Sequence, residues 1–357
     1  MRFIKRTTYM HDIQLFRYRS TLVWYLLLGV VVLAAPLSMG AYGMSLLTLV
    51  GIYAIVALGL NLLTGFTGQI SLGHAALFAV GAYTSAILTG THGVSFWLAL
   101  PAAGILAAIV GIFIGLPALR LKGLYLAIAT MGLGFIVEEI IVHWSSMTGG
   151  VNGLAVSRPV LGAFEFSSDD SFYYLVVSIL FIMTVIMKNL LRTPTGRAFV
   201  AIRDSDVAAS SMGINLAAYK TIAFCISAFY AGIAGSLFAH FMYFIGPENF
   251  TFLISISFLV MIVVGGVGSV HGAVFGAIFI TLLPEFISFT RGYLPEVIGK
   301  QVGLQEATYG LVLILFLRFE PMGLYGRWLK IKFYFEHFPF YKKDTFKRER
   351  KFYRTEH

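Results

Sequence analysis

Residues 65–83 read GFTGQISLGHAALFAVGAY. Gly65, Gly68, Gly73 and Gly81, with the polar side chains of Thr67, Gln69, Ser71 and His74, interrupt a run that is otherwise apolar. The chain around this stretch is 58% hydrophobic and 12% charged over 357 residues, whereas a soluble domain carries roughly a quarter charged residues. Apolar runs of span length recur along nearly the whole sequence. The fold class is therefore an all-α integral membrane protein of about ten transmembrane helices. Inside a bilayer, unwound backbone is tolerated only where it is buried in protein or lines a cavity. The break at 65–74 is thus a place where the bundle is packed or open for a reason.

The break has a counterpart. Residues 265–280, GGVGSVHGAVFGAIFI, align with it after one deletion, so that Gly65, Gly68 and Gly73 pair with Gly265, Gly268 and Gly272. Matched glycine interruptions in two halves of a membrane chain point to a transport path. The candidate pathway residues are Gly65, Gly68, Gln69, Ser71, His74, Gly265, Gly268 and His271. A half-helix beginning near Ser71 presents free N–H groups and a positive dipole end, which suits a carboxylate. The same residues also suit close helix packing, with Gln69 and His74 bonding between helices. Both roles stay open at this point. Ala228, Gly232 and Ser236, and likewise Gly111 and Gly115, read as small-residue packing stripes. Glu138 and Glu139, beside His143 and Trp144, read as interfacial, which gives little basis for proton coupling.

The candidate spans lie near residues 22–39, 44–63, 72–89, 96–117, 124–143, 172–191, 219–243, 252–267, 271–290 and 304–318, each close to the roughly 20 residues that cross a bilayer. Lys and Arg gather in the first arm, at Arg120 and Lys122, between Lys188 and Lys220, and beyond Arg318. Threading the spans places all four clusters on one side, the cytoplasm by the positive-inside rule, with both termini there. The 291–303 loop is mixed in charge, and residues 252–290 hold two short spans with no polar loop between them. The net charge of +9 therefore marks a membrane flank, not a nucleic-acid partner. The domains expected are a cytoplasmic N-terminal arm (1–20), a transmembrane region (21–320) with a cytoplasmic loop at 192–218, and a basic cytoplasmic tail (321–357). The tail interleaves aromatics with Lys and Arg, which suits a segment that meets lipid headgroups or a partner protein and equally a solvated tail. The single cysteine, Cys225, excludes a disulfide framework and a Cys/His metal pattern.

The loop at 192–218 carries two helix signatures. Thr193 and Pro194 open one helix; Asp204 or Ser205 caps a second, which ends before Gly213. Two capped helices with mixed charge and exposed apolar residues suit docking to another protein, with Arg197, Arg203, Asp204, Ser205, Asp206 and Gly213 as candidates; a solvated connector lying on lipid headgroups is the alternative. No Walker A string, dinucleotide fingerprint, zinc motif or nucleophile elbow occurs. The chain is read as a non-enzyme that binds no cofactor, so any ATP and Mg would be used by separate subunits. A transporter or channel working alone is the rival reading. A membrane enzyme would need convergent catalytic groups, and only scattered histidines (His74, His143, His240, His271) are offered.

The strings GLNLLTGFTGQISLGHAALFAVGAYTSA, LRLKGLYLAIATMGLGFIVEEI, TGGVNGL, GRAFVAIRDSDVAASSMGIN and VGGVGSVHGAVFGA resemble the branched-chain amino acid ABC-transporter permeases, specifically the M-type of the paired membrane subunits. The resemblance runs over about residues 44–290. It implies a multi-pass permease subunit of a bacterial inner-membrane importer, moving leucine, isoleucine or valine. The implied partners are a second, H-type permease, two ATPases and a periplasmic substrate-binding protein, besides membrane lipids. Residues 197–215 would then meet the ATPase, and 148–154 would lie on the side that receives the binding protein. Related permeases of the family move urea or short amides with similar motifs.

Overall fold

The computed structural model describes residues 19–118, 121, 123–161, 164–166, 168–291, 304–320 and 322–337. Residues 1–18 of the N-terminal arm, Arg120 and Lys122, most of the 291–303 loop and the tail beyond His337 lie outside the described residues. The helices in chain order are α1 (Arg19–Ser38), α2 (Ala41–Asn61), α3 (His74–Gly90), α4 (Phe96–Ala118), α5 (Leu124–His143) and α6 (Asp169–Arg192). They are followed by α7 (Pro194–Asp204), α8 (Asp206–Ser211), α9 (Leu216–Met242), α10 (Phe252–Gly265), α11 (Val270–Arg291), α12 (Leu304–Phe319) and α13 (Gly323–His337).

Among the described residues, seven helices are long and apolar enough to cross a membrane, or eight if the bent pair Ala307–Phe319 and Gly323–Tyr334 is one span. The sequence predicts ten. The other apolar helices are α1, apolar over Val23–Ser38, and His74–Gly90, which is 17 residues long. At the second of these, helix begins only at His74, because residues 68–73 are unwound.

Helix α9 is the axis of the bundle and packs on α2, α3 and α4. Asn215 starts it, its side chain accepting from the Ala218 N–H at 3.2 Å, and small residues let its neighbours approach to backbone contact. Gly232 lies against Ala103, Gly104 and Ala107 of α4 and against Gly81 of α3. Gly111 lies against Ala228, and Ser236 donates to Ser85 at 2.8 Å. Both small-residue stripes read from the sequence are thus packing surfaces. At one end of the bundle, Tyr53, Phe78, Phe238, Phe250 and Phe258 form an aromatic core with ring centroids 5.1–6.5 Å apart.

Beyond that core the chain forms a lid of short strands, Leu154–Ala155 pairing antiparallel with Phe244–Ile245 and Val160–Leu161 with Phe164–Glu165. Arg158, the only basic residue in the outer loops of the predicted topology, is turned inward there. It pairs with Asp169 and lies over the rings of Phe172 (5.4 Å) and Tyr243 (4.9 Å).

Candidate functional site

The two glycine breaks meet at the opposite end of the bundle from the lid. Helix α2 continues through one π-helical turn, Leu62–Phe66, a geometry that frequently marks functional sites. The chain then runs unwound over 68–73 to the start of α3. Helix α10 ends at Gly265, and residues 266–269 are unwound before α11 begins at Val270. Gly68 and Gly268, paired by the internal alignment, both have left-handed backbone (φ +71 and +78), which a side chain would strain. Their partners Gly65 and Gly265 serve close approach instead. A Cβ on Gly65 would run into the Asn61 carboxamide and the Gly268 amide, and one on Gly265 into the Gly272 carbonyl.

Asn61, the last residue of α2, joins the two breaks. Its Nδ2 donates to the Ser269 carbonyl at 2.7 Å, and its Oδ1 accepts from the Gly268 N–H at 2.9 Å. Sequence reasoning missed this residue. The available signal was a lone carboxamide at the end of an apolar span, since polar groups there are costly and usually partnered.

The remaining candidates separate into distinct places. His74 is fully buried near the middle of the bundle, since its partner Ser227 falls close to the midpoint of α9 (Leu216–Met242). Ser227 donates to the Gly59 carbonyl at 2.7 Å, so His74 Nε2–H donates to Ser227 (2.8 Å) and His74 Nδ1 accepts from Ser71 (3.1 Å). This ring is a satisfied bridge between α2, α3 and α9. At the lid end, His240 repeats the arrangement, with Nδ1–H donating to the Ser157 carbonyl (2.6 Å) and Nε2 accepting from Ser85 (3.0 Å). His271 lies away from both, on the flank of α11. It stacks on Tyr325 at 5.8 Å and contacts the Tyr25 hydroxyl at 2.5 Å.

Gln69 differs from the others. It is 5% exposed, and neither its Oε1 nor its Nε2 has a hydrogen-bond partner among the described residues. An unsatisfied buried amide destabilises the fold holding it, so Gln69→Leu is expected to raise stability by about 1–3 kcal/mol. The measurement is the Tm of the detergent-solubilised chain, and a lower Tm would show that the amide is bonded. Near the first turn of α3, Leu72, Ala75, Phe135, Glu138 and Ser255 line a cavity of about 10 Å³, room for one water. Ser255 accepts from the Ala75 N–H there at 2.9 Å.

The loop helices form where their caps predict. Thr193 accepts from the Gly196 N–H and Pro194 opens α7; Ser205, rather than Asp204, caps α8 by accepting from the Ala208 N–H. Gly213 takes the left-handed position after α8 (φ +81). Arg197 stays on the surface, its Nη1 donating to the Arg192 carbonyl at 3.2 Å. Asp206 pairs with Lys220 of α9 at 2.9 Å. Arg203 stays 39% exposed, and its Nη1 donates to the Gly65 carbonyl at 3.1 Å while Nε and Nη2 both donate to Asp204. Val207 and Met212 point outward, 75% and 80% exposed. Loop and breaks are therefore one contiguous structure. No group of three or more metal-ligating side chains occurs among the described residues.

Residues 42–317 match the family described as "Branched-chain amino acid transport system / permease component". The chain is 35% identical over 319 residues to the high-affinity branched-chain amino acid transport system permease protein LivM of Escherichia coli K12, covering 83% of this chain and 72% of that protein. It is 26% identical to a probable LivM of Methanocaldococcus jannaschii (77% of this chain, 90% of that protein) and 28% identical to a probable LivH of the same organism (78% and 90%). No solved structure matches the chain. A multi-pass membrane protein by its apolar helices, the chain belongs to the family of branched-chain amino acid transport permease components.

Proposed function

We propose that this chain is one of two different permease subunits of an ATP-binding-cassette importer for leucine, isoleucine and valine in a bacterial inner membrane. Similarity to proteins named LivM and LivH alike supports a paired-permease system. In this reading ten spans place both termini in the cytoplasm, and the two glycine-interrupted segments flank the pathway. Separate ATPases dock on α7–α8 and use ATP and Mg, while a periplasmic binding protein delivers substrate at the lid end. This chain binds no cofactor and supplies no catalysis.

The observation that carries the reading is the position of α7–α8. The pair leaves Val207 and Met212 uncovered on its outer side and reaches the first break through Arg203 on its inner side. An element that changes a pathway must touch both the energy source and the moving backbone.

The test is uptake by sealed vesicles in which this chain is reconstituted with its second permease, ATPases and binding protein. ATP-dependent accumulation of leucine, isoleucine or valine is expected, with none from vesicles holding this chain alone. Gradient-driven uptake by the chain alone, indifferent to ATP, would establish a self-sufficient transporter instead. Accumulation of urea or a short amide in place of the three amino acids would overturn the substrate assignment.

A further inference from the structure

We propose that Asn61 and Arg203 act together as positioning residues, passing movement of α7–α8 to both glycine breaks at once. This rests on the ATP-driven import proposed above. The argument begins with what holds each break. The amide of Gly268 lies in the unwound residues 266–269 and must find a partner, whereas the carbonyl of Ser269 already accepts the first bond of α11, from the Ala273 N–H at 3.1 Å. Asn61 supplies that partner at 2.9 Å and adds a second donor to the Ser269 carbonyl at 2.7 Å, both from the helix that leads into the other break. The absence of a side chain at Gly65 lets the Gly268 backbone lie directly against it. With the buried Asn61 in place (1% exposed), neither break moves without the other.

Arg203 sits over this junction. Its Nη1 donates to the Gly65 carbonyl at 3.1 Å, and a Cβ placed on Gly268 would be 3.1 Å from the same nitrogen. A Cβ on Gly68 would lie 3.3 Å from Arg203 Cγ. The guanidinium plane is held by two further bonds to Asp204, each 3.2 Å, which turn Nη1 toward the breaks. A flexible ammonium offers no such fixed fork.

The second attachment of the loop makes this arrangement a lever. Asp206, two residues beyond Asp204, pairs at 2.9 Å with Lys220 near the start of α9, the best-packed helix of the bundle. Lys220 is 8% exposed. At the α7–α8 junction the loop is therefore pinned to the scaffold through Asp206 and, three residues earlier, to the first break through Arg203. Tilting of α7–α8 about Lys220 displaces Arg203, and with it the Gly65 carbonyl, rather than sliding the whole loop over the surface.

The test uses the complete reconstituted complex and reads two quantities, the leucine imported per ATP hydrolysed and the amount of ATPase co-purifying with the chain. In Arg203→Ala the ATPases are expected to remain bound and to hydrolyse ATP, while leucine imported per ATP falls about tenfold, the factor carried by one charged hydrogen bond. Asn61→Asp keeps the acceptor for Gly268 but sets a carboxylate against the Ser269 carbonyl, and is expected to uncouple similarly. Arg203→Lys restores one donor without the fork and is expected to recover part of the coupling. The double variant Asn61→Asp/Arg203→Ala is expected to be no worse than the poorer single, because both act on one junction. Unchanged coupling in Arg203→Ala would overturn the proposal. Loss of the ATPases from that variant would also overturn it, because Arg203 would then be a docking contact. If Asn61→Asp fails to fold, the two Arg203 variants still decide the matter. Failure of the wild-type complex to import leucine, isoleucine or valine with ATP would remove the import reading and this proposal together. A working wild type with normally coupled variants removes this proposal alone.

Discussion

In a Val207→Asp/Met212→Asp double variant, ATP-driven uptake is expected to fall by about tenfold or more, the scale of losing an apolar anchor at the centre of an interface. Both side chains are largely exposed in the single chain, at 75% and 80%, so the substitutions remove little that folds it. Helix α8 keeps its Ser205 cap and its Asp206–Lys220 tie, and the Tm of the isolated chain is expected to stay unchanged. The loss should appear as ATPases that no longer co-purify, because two new charges face a groove that suited apolar groups. Full uptake with the ATPases still attached would show that this face of α8 is not the docking surface.

The second large effect concerns the crossing of α10 and α11. Gly265→Val is expected to abolish recovery of folded chain, and Gly276→Ala to cost about 1–3 kcal/mol or more, the range of overpacking in a close-packed interior. A side chain on Gly265 meets the Gly272 carbonyl and, at 2.8 Å, the Gly276 amide; one on Gly276 meets the Met261 carbonyl. These obstacles are backbone atoms of neighbouring helices, which cannot rotate aside as a side chain can. Gly132→Ala is the control. A Cβ there has nothing within 4 Å, and its higher helix propensity is worth up to about 1 kcal/mol. Thermal unfolding in detergent should therefore place Gly132→Ala at or above wild type and Gly276→Ala well below it.

Local features carried a large part of the fold in readable form. The span predicted at 124–143 coincides with α5 (Leu124–His143), because apolar length and flanking polarity are properties of a short window. The capped pair α7–α8 was equally legible, since Thr193, Pro194, Ser205 and Gly213 act within a few residues of themselves. Boundaries were weaker at 72–89, where glycines and polar residues delay the helix to His74. The sequence alternative of Asp204 or Ser205 as the cap also needed the backbone, which gives the position to Ser205 and leaves Asp204 to hold Arg203.

The sequence by itself determined the membrane class, the two matched glycine breaks as strings, and the pair of capped helices α7–α8. Only the tertiary structure decided which of those residues meet. Asn61 reaches Ser269 across 208 positions, Arg203 reaches Gly65 across 138, and His74 reaches Ser227 across 153. No helical or strand period relates residues so far apart in sequence. Their pairing is set by how close glycine and serine faces let the helices come, and by the need of unwound backbone for hydrogen bonds inside an apolar bundle. That same need brought Asn61 to the junction between the breaks, while His74 bonds the side chains of Ser71 and Ser227 and His271 meets Tyr25 and Tyr325.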